Sequence, residues 1–308
     1  MFSIPACDFS LSATLASGQV FRWHAHDGWF YGYVDSRAVR LRQEGDQVVV
    51  HTAECHLEPD VIRTYFALEA NLPEILRSID VDAQIHQAIL AFRGLRVLRQ
   101  DPWECLASFI CSSYNNVRRI TGMIERLCQA FGTPVALNGF RGCRFPPPEA
   151  IARTSEARLR QLGLGYRAAY LRATARLVAD GKLRLDRLRD VDYQTAKAAL
   201  LRCDGVGDKV ADCVALFALQ HEEAFPIDLW IRRAMRYYFG SRRMTPGRLH
   251  AFAAQHFGRY AGYAQQYLYH YVRTSRASHK PSAPSTKAKS GSLLAAWCQA
   301  AAQRAPTA

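Results

Sequence analysis

One segment constrains this chain more than any other: Leu200–Asp228, LLRCDGVGDKVADCVALFALQHEEAFPID. Gly205-Val206-Gly207 signals a tight turn, because glycine reaches backbone angles closed to residues that carry side chains. Apolar Val210, Val214, Leu216 and Phe217 predict a mostly buried helix from about Asp208 to Leu219. With the helical run before it, the unit reads as helix–turn–helix over about 192–220. Lys209 stands in the first turn of the second helix. Asp228 follows the helix-breaking Pro226 and is placed to cap the next helix, LWIRRAMRYYF. Amides of Gly205, Val206 and Gly207 suit a phosphate. An amine attacks carbon only when unprotonated, and a helix N-terminus and partial burial both favour the free amine. A carboxylate beside it stabilises developing positive charge and assists proton transfer. Asp208 and Asp212 are closer to Lys209 in sequence, but a first-turn acid ordinarily complements the helix dipole, so Asp228 ranks first. In an arbitrary helix, Lys209 is a solvated first-turn lysine. What else the chain carries decides between the two.

Residues 10–70 read as strands. GWFYGYVDSRAVRLRQEGDQVVVHT alternates apolar and polar residues, with turns at Asp27-Gly28 and Glu44-Gly45-Asp46. From about residue 72 the pattern is mainly helical, broken at Phe145–Pro148, with a helix resuming near Glu149. Past Val272 the chain turns Ser/Ala/Lys/Pro-rich, a flexible tail in which LLAAWCQAAAQR is a short helical run. The expected fold is α+β: an antiparallel sheet domain over 1–99, a two-lobed all-helical domain over 100–275, and a basic tail over 276–308. No run of 18 apolar residues predicts a membrane span, and the N-terminus lacks the basic and apolar regions of a secretory leader. The nine cysteines are scattered, with no C-x-x-C pair, which argues against zinc and for reduced thiols in an intracellular compartment.

The formal net charge is +13. The stretch 273–308 carries six Lys or Arg and no acid, so the body retains +7. Within it, residues 118–176 hold eleven arginines, no lysine and three glutamates. Arginine makes planar, bidentate contacts with phosphate and base edges, so this pattern points to a nucleic-acid partner. A membrane partner is not expected.

Other segments join the hairpin: SGQVFRW (Ser17–Trp23), LRQDPWECLASFICSSYNN (Leu98–Asn116), ITGMIERLCQAFG (Ile120–Gly132), LGLGYRA (Leu162–Ala168) and YAGYAQQYLY (Tyr260–Tyr269). The ordered set resembles the helix-hairpin-helix base-excision DNA glycosylases with a Gly/Pro-rich loop and aspartate. Within them it is similar to the 8-oxoguanine branch, over about residues 10–275. The resemblance implies a bifunctional glycosylase/AP lyase that flips 8-oxoguanine out of duplex DNA. Lys209 would form a Schiff base with C1′, a slower β-elimination would nick the strand, and Asp228 would be its partner. It assigns Gly18, Cys213, Gln265 and Tyr269 to the base pocket, the Gly18 carbonyl accepting the N7 hydrogen that guanine lacks. It assigns Tyr166 to a wedge, Arg119 and Arg167 to reading the partner cytosine, and places Asn115 and Asn116 beside Arg119. It also implies a monovalent cation at the hairpin carbonyls and no other required cofactor. The four-cysteine loop of the iron–sulfur relatives is missing, so no cluster is expected. The expected state is a monomer, in the nucleus or a bacterial cytoplasm.

Three positions depart from the pattern. Tyr114 stands where the eukaryotic enzymes have the first of three asparagines, which puts strict specificity for an opposite cytosine in doubt. Trp230 replaces a phosphate-contacting histidine, and Val272 a pocket acid. Two alternatives stay open. One is a glycosylase of the same fold for another damaged purine. The other is a non-catalytic DNA-binding protein, in which Lys209→Gln changes only affinity.

Overall fold

Five antiparallel strands, β1 (Phe2–Pro5), β2 (His24–His26), β3 (Trp29–Val34), β4 (Arg37–Glu44) and β5 (Gln47–Thr52), lie in the order β1-β5-β4-β3-β2. The computed structural model describes residues 1–52, 57–240 and 244–277. The expected terminal helix and nearly all of the expected tail lie outside the described residues. Met1–Thr274 form one compact unit.

Alternation sets the faces of the sheet. Leu41 pairs with Phe30 on one side and Val50 on the other, so Val34, Val39, Leu41, Val48 and Val50 share one buried face. Two helices cover it, α1 (Leu11–Ala16) and α2 (Pro59–Tyr65). Both fall in the segment read as strands, and β1 begins before it. These helices have six and seven residues, too few turns to show a 3.6-residue period, and packing rather than propensity holds them. The β3–β4 turn uses Asp35 and Ser36, both at positive φ, the type of turn that matches strand twist.

The helical body comprises α3 (Leu72–Ile79), α4 (Ala83–Ala91), α5 (Pro102–Cys111), α6 (Val117–Phe131), α7 (Pro148–Arg153), α8 (Glu156–Leu159), α9 (Arg167–Ala179), α10 (Tyr193–Leu201), α11 (Asp208–Phe217), α12 (Leu229–Ala234), α13 (Arg236–Phe239), α14 (Pro246–Phe257) and α15 (Ala261–Ala277). The expected single helix LWIRRAMRYYF is two short helices, α12 and α13. Most of α5 and α11 is buried, and Phe109 of α5 stacks on Phe217 of α11 at 5.7 Å. Leu72, Ile75, Ile85 and Ala88 belong to the same core. A hairpin of β6 (Pro134–Leu137) and β7 (Phe140–Cys143) interrupts the helices. It packs Leu137 and Phe140 on Tyr33 and Ala38, and Phe140 stacks on Tyr31 at 5.4 Å, so it ties the outer face of the sheet to the helical body. Its turn is Asn138-Gly139, both at positive φ, the dipeptide that most strongly signals a hairpin and the clue that four-residue strands otherwise conceal. Among the described residues, no helix is long and apolar enough to cross a membrane.

Candidate active site

The Asp192 side chain caps α10 by accepting from the Thr195 amide at 3.0 Å. The turn into α11 needs glycine at Gly205 for two reasons. Its φ is +77°, and a Cβ there would lie 2.3 Å from the Tyr170 ring. Gly207 precedes α11 in extended conformation and carries no capping side chain, so the first-turn amides of α11 are uncapped from that position. Val206 departs from expectation. Its amide donates to the Cys203 carbonyl at 3.1 Å and its side chain is buried, because an inward apolar anchor closes the turn. The amides of Gly205 and Gly207 make no hydrogen bond among the described residues.

Lys209, Cys213 and Asp228 share the wall of a cavity of 320 Å³ with Gly18, Asn115, Asn116, Gln265 and Tyr269. Sequence reading assigned all eight to function, and they come from five separate chain segments. Phe21, Phe109 and Phe217 add an apolar wall with Trp230, already noted as a departure from the pattern, and Ser112, Gln266 and Arg273 add polar groups that sequence reading missed. The Lys209 amine donates to Ser112 Oγ at 2.8 Å and lies 5.0 Å from the Phe109 ring centroid. Ser112 Oγ in turn donates to the Phe109 carbonyl at 2.6 Å, which leaves its lone pair for the amine. Lys209 forms no ion pair among the described residues.

Asp228 caps α12, accepting from the Ile231 amide at 2.8 Å. Burial pushes its carboxyl above the usual carboxylate range, opposed by the Ile231 amide and the charge of Lys209. Cap and chemistry are compatible, because the cap fixes the carboxylate. Burial pushes the Cys213 thiol up to about 12, so it stands as a neutral wall. Gln265 is 3 % exposed; its amide donates to the Pro226 carbonyl at 3.2 Å, and its Oε1 has no partner among the described residues. Gly18, at φ +81°, sits under Tyr269 and Arg273: a Cβ there would be 2.7 Å from the guanidinium and 3.1 Å from the Tyr269 hydroxyl.

The remaining expected residues stand away from the cavity wall. Tyr114 is 99 % exposed and stands at φ +48°, a left-handed conformation uncommon for a residue with a side chain. Tyr166 is also exposed, and its hydroxyl donates to the Ser113 carbonyl at 3.4 Å. Arg119 is exposed on α6, whose N-terminus Asn116 caps by accepting from the Arg119 amide at 3.0 Å. Asn115 accepts from the Asn116 amide at 3.1 Å, so both asparagines also shape this turn. Arg167 is also expected to read the partner cytosine. It is 9 % exposed, its Nε donates to the Ser113 carbonyl at 3.0 Å, and its guanidinium lies 4.4 Å from the Tyr166 ring centroid. A carbonyl with free lone pairs draws it inward, where it braces the turn that presents Tyr114.

The other acids near Lys209 are engaged elsewhere. Asp212 is 0 % exposed and meets Lys197 Nζ at 2.8 Å, the Tyr193 hydroxyl at 2.6 Å and His250 Nε2 at 2.9 Å. Lys197 also reaches Asp208 at 3.3 Å. Removing one partner of a buried pair leaves an uncompensated charge. Asp212→Ala is therefore expected to cost about 3 kcal/mol of stability by denaturant titration, and an unchanged midpoint would refute the role. Among the described residues, no group of three or more His, Cys, Asp or Glu comes together to hold a metal ion.

Residues 1–106 match the family described as 8-oxoguanine DNA glycosylase, N-terminal domain, and residues 107–256 match the HhH-GPD superfamily base excision DNA repair protein family. The chain is 35% identical over 282 residues to the N-glycosylase/DNA lyase OGG1 of Arabidopsis thaliana, covering 85% of this chain and 77% of that relative. The fold superposes on MBOgg1, solved with a low-affinity DNA ligand, at a TM-score of 0.85 and 34% identity, covering 89% of this chain and 96% of the other. It matches the Clostridium acetobutylicum 8-oxoguanine glycosylase/lyase, solved with double-stranded DNA containing cytosine opposite 8-oxoG, at 0.84 and 28% identity, covering 90% and 99%. By these matches the chain, with its sheet packed on a helical body and its helix-hairpin-helix bearing Lys209, belongs to the 8-oxoguanine DNA glycosylase family of the HhH-GPD superfamily.

Proposed function

We propose that this protein is a bifunctional DNA glycosylase/AP lyase that excises 8-oxoguanine from duplex DNA in base excision repair. The observation that carries the reading is the meeting of Lys209 and Asp228 in one cavity whose other groups suit a purine. Aromatic Phe21, Phe109, Phe217 and Tyr269 offer flat apolar surface. The unpartnered Gln265 Oε1 and the Gly18 carbonyl, which accepts no hydrogen bond among the described residues, are acceptors. 8-Oxoguanine differs from guanine in carrying a hydrogen on N7, so an acceptor favours it over a guanine lone pair.

A base enters such a cavity only after extrusion from the helix. Exposed Tyr114 and Tyr166 are suited to stack in the gap, the Gly205 and Gly207 amides to hold a phosphate, and exposed Arg119 to meet the opposite strand. The Lys209 amine attacks C1′, the bond from C1′ to N9 breaks, and its electron pair leaves with the base, which takes up a proton. The amine then loses one proton, the C1′–O4′ bond breaks with O4′ taking up a proton, and a protonated Schiff base forms, with Asp228 stabilising the positive charge at C1′. Loss of a C2′ proton then expels the 3′ oxygen and nicks the strand. A monovalent cation at the hairpin extends the reading: the Val206 carbonyl bonds nothing among the described residues, and hard backbone oxygens suit such an ion. Cys7, Cys105, Cys111, Cys128, Cys143, Cys203 and Cys213 form no disulfide among the described residues, which fits a reducing, intracellular compartment. We expect a monomer.

Incubation with duplexes carrying one 8-oxoguanine opposite each of the four bases tests the reading. Base release is the expected result. Release of only an alkylated or ring-opened purine would replace it with the alternative substrate, and binding without release would replace it with a DNA-binding role. In the same assay Tyr114→Ala is expected to slow release about tenfold, the worth of one lost stacking contact, while leaving the melting temperature unchanged because the ring is exposed. An unchanged rate would remove Tyr114 from the wedge.

A further inference from the structure

Arg273 projects from α15 into the cavity wall, one turn beyond Tyr269. Its guanidinium donates to the Ala16 carbonyl and lies 5.2 Å from the Tyr269 ring centroid. Its Nη1 stands where it would meet a Gly18 Cβ at 2.7 Å, so only glycine lets the two approach this closely. Gln266, also on α15, donates to the Ser17 carbonyl at 3.1 Å. Two successive carbonyls of the 16–18 turn are therefore held from one helix. The third, that of Gly18, accepts nothing among the described residues, and Gly18 lines the cavity. Fixing the peptide planes before a carbonyl fixes its direction. His270 backs the clamp. Its Nδ1 lies 3.4 Å from the same guanidinium, and burial together with that charge pushes the imidazole down to about 4. It is therefore a neutral acceptor near pH 7.

We infer that Arg273 is a positioning residue for lesion recognition. It clamps the Ala16–Gly18 turn so that the Gly18 carbonyl stands as a fixed acceptor for the edge of the base that distinguishes 8-oxoguanine from guanine. The inference rests on the proposed substrate. A carbonyl is a discriminating reader only while held in place, since a displacement near 1 Å can cost on the order of a hundredfold in rate.

The test compares wild type, Arg273→Leu and Arg273→Lys in single turnover. It measures release of 8-oxoguanine, release of guanine, and nicking at a preformed abasic site, which has no base to read. Arg273→Leu is expected to slow 8-oxoguanine release about tenfold or more and to lower the ratio of 8-oxoguanine to guanine release. Abasic nicking should change by less than about twofold, because Arg273 makes no hydrogen bond or ion pair with Lys209 or Asp228 among the described residues. Arg273→Lys, which retains a donor for the Ala16 carbonyl, should recover most of the loss. Equal falls in release and nicking alongside a lower melting temperature would make Arg273 merely structural and overturn the inference, as would no change in the release ratio. A wild type that nicks abasic sites but releases no 8-oxoguanine would overturn the substrate reading itself, and the inference with it.

Discussion

Lys209→Gln is expected to abolish the covalent adduct that borohydride traps between this protein and a duplex carrying 8-oxoguanine. Reduction captures only a Schiff base, so the adduct reports an amine on C1′ directly. Glutamine preserves much of the side chain's length and its ability to donate to Ser112 Oγ, so the cavity wall is kept while the nucleophile is lost. Base release should fall by about a thousandfold or more, equivalent to roughly 4 kcal/mol of transition-state stabilisation, and strand nicking should fall with it. DNA affinity, set by arginines and hairpin amides elsewhere, should stay within a few fold. A trapped adduct in the variant would move the nucleophile to another amine. An unchanged rate of release with no adduct in either protein would point to water as the nucleophile. The geometry argues for lysine: the amine is half-buried, held by a hydroxyl, and unpaired by any carboxylate among the described residues.

Asp228→Asn isolates the charge of the carboxylate from its structural part. Asparagine caps helices about as well as aspartate, so α12 should start where it does now. Rate is a different matter. The cation developing at C1′ loses its counter-charge in a half-buried site, and base release is expected to fall by about 10²–10³. The pH dependence gives a second signature. Burial raises the Asp228 carboxyl above its ordinary value, so the active carboxylate is lost as pH falls through that raised value, and the acid limb of kcat/KM should sit above the usual carboxylate range of ~3.9. Stability runs the opposite way. A carboxyl whose folded-state pKa is raised binds its proton more tightly in the fold, so this group's contribution to stability declines as pH rises through that value. The variant should therefore lose rate and its acid limb with no loss of stability at neutral pH. A denaturation midpoint that falls together with the rate would instead mean that the residue serves only the cap.

Sequence alone determined the parts of this protein encoded within one short stretch. Gly205 and Gly207 flag the turn, apolar spacing in 208–217 sets the helix, and Pro226-Ile227-Asp228 stops one element and caps the next. Each is a local backbone requirement that leaves a local trace, so Lys209 and Asp228 were legible together. The strand alternation of β3 to β5 was legible for the same reason. Short elements were not: α1, α2, β6 and β7 are too short to repeat the period that would betray them, although Asn138-Gly139 marked the last hairpin.

Tertiary structure decided the rest of the site. Ser112 meets Lys209 across 97 residues of chain, and Arg273 meets Ala16 across 257. No periodicity encodes such pairs, because they follow from how α5, α11 and α15 pack rather than from any one helix. The direction of a side chain was equally hidden. Arg167 and the Val206 amide both turned toward carbonyls inside the protein rather than outward, because a polar group near an unpaired backbone acceptor finds it before it faces solvent. Local spacing names the chemistry; long-range packing aims it.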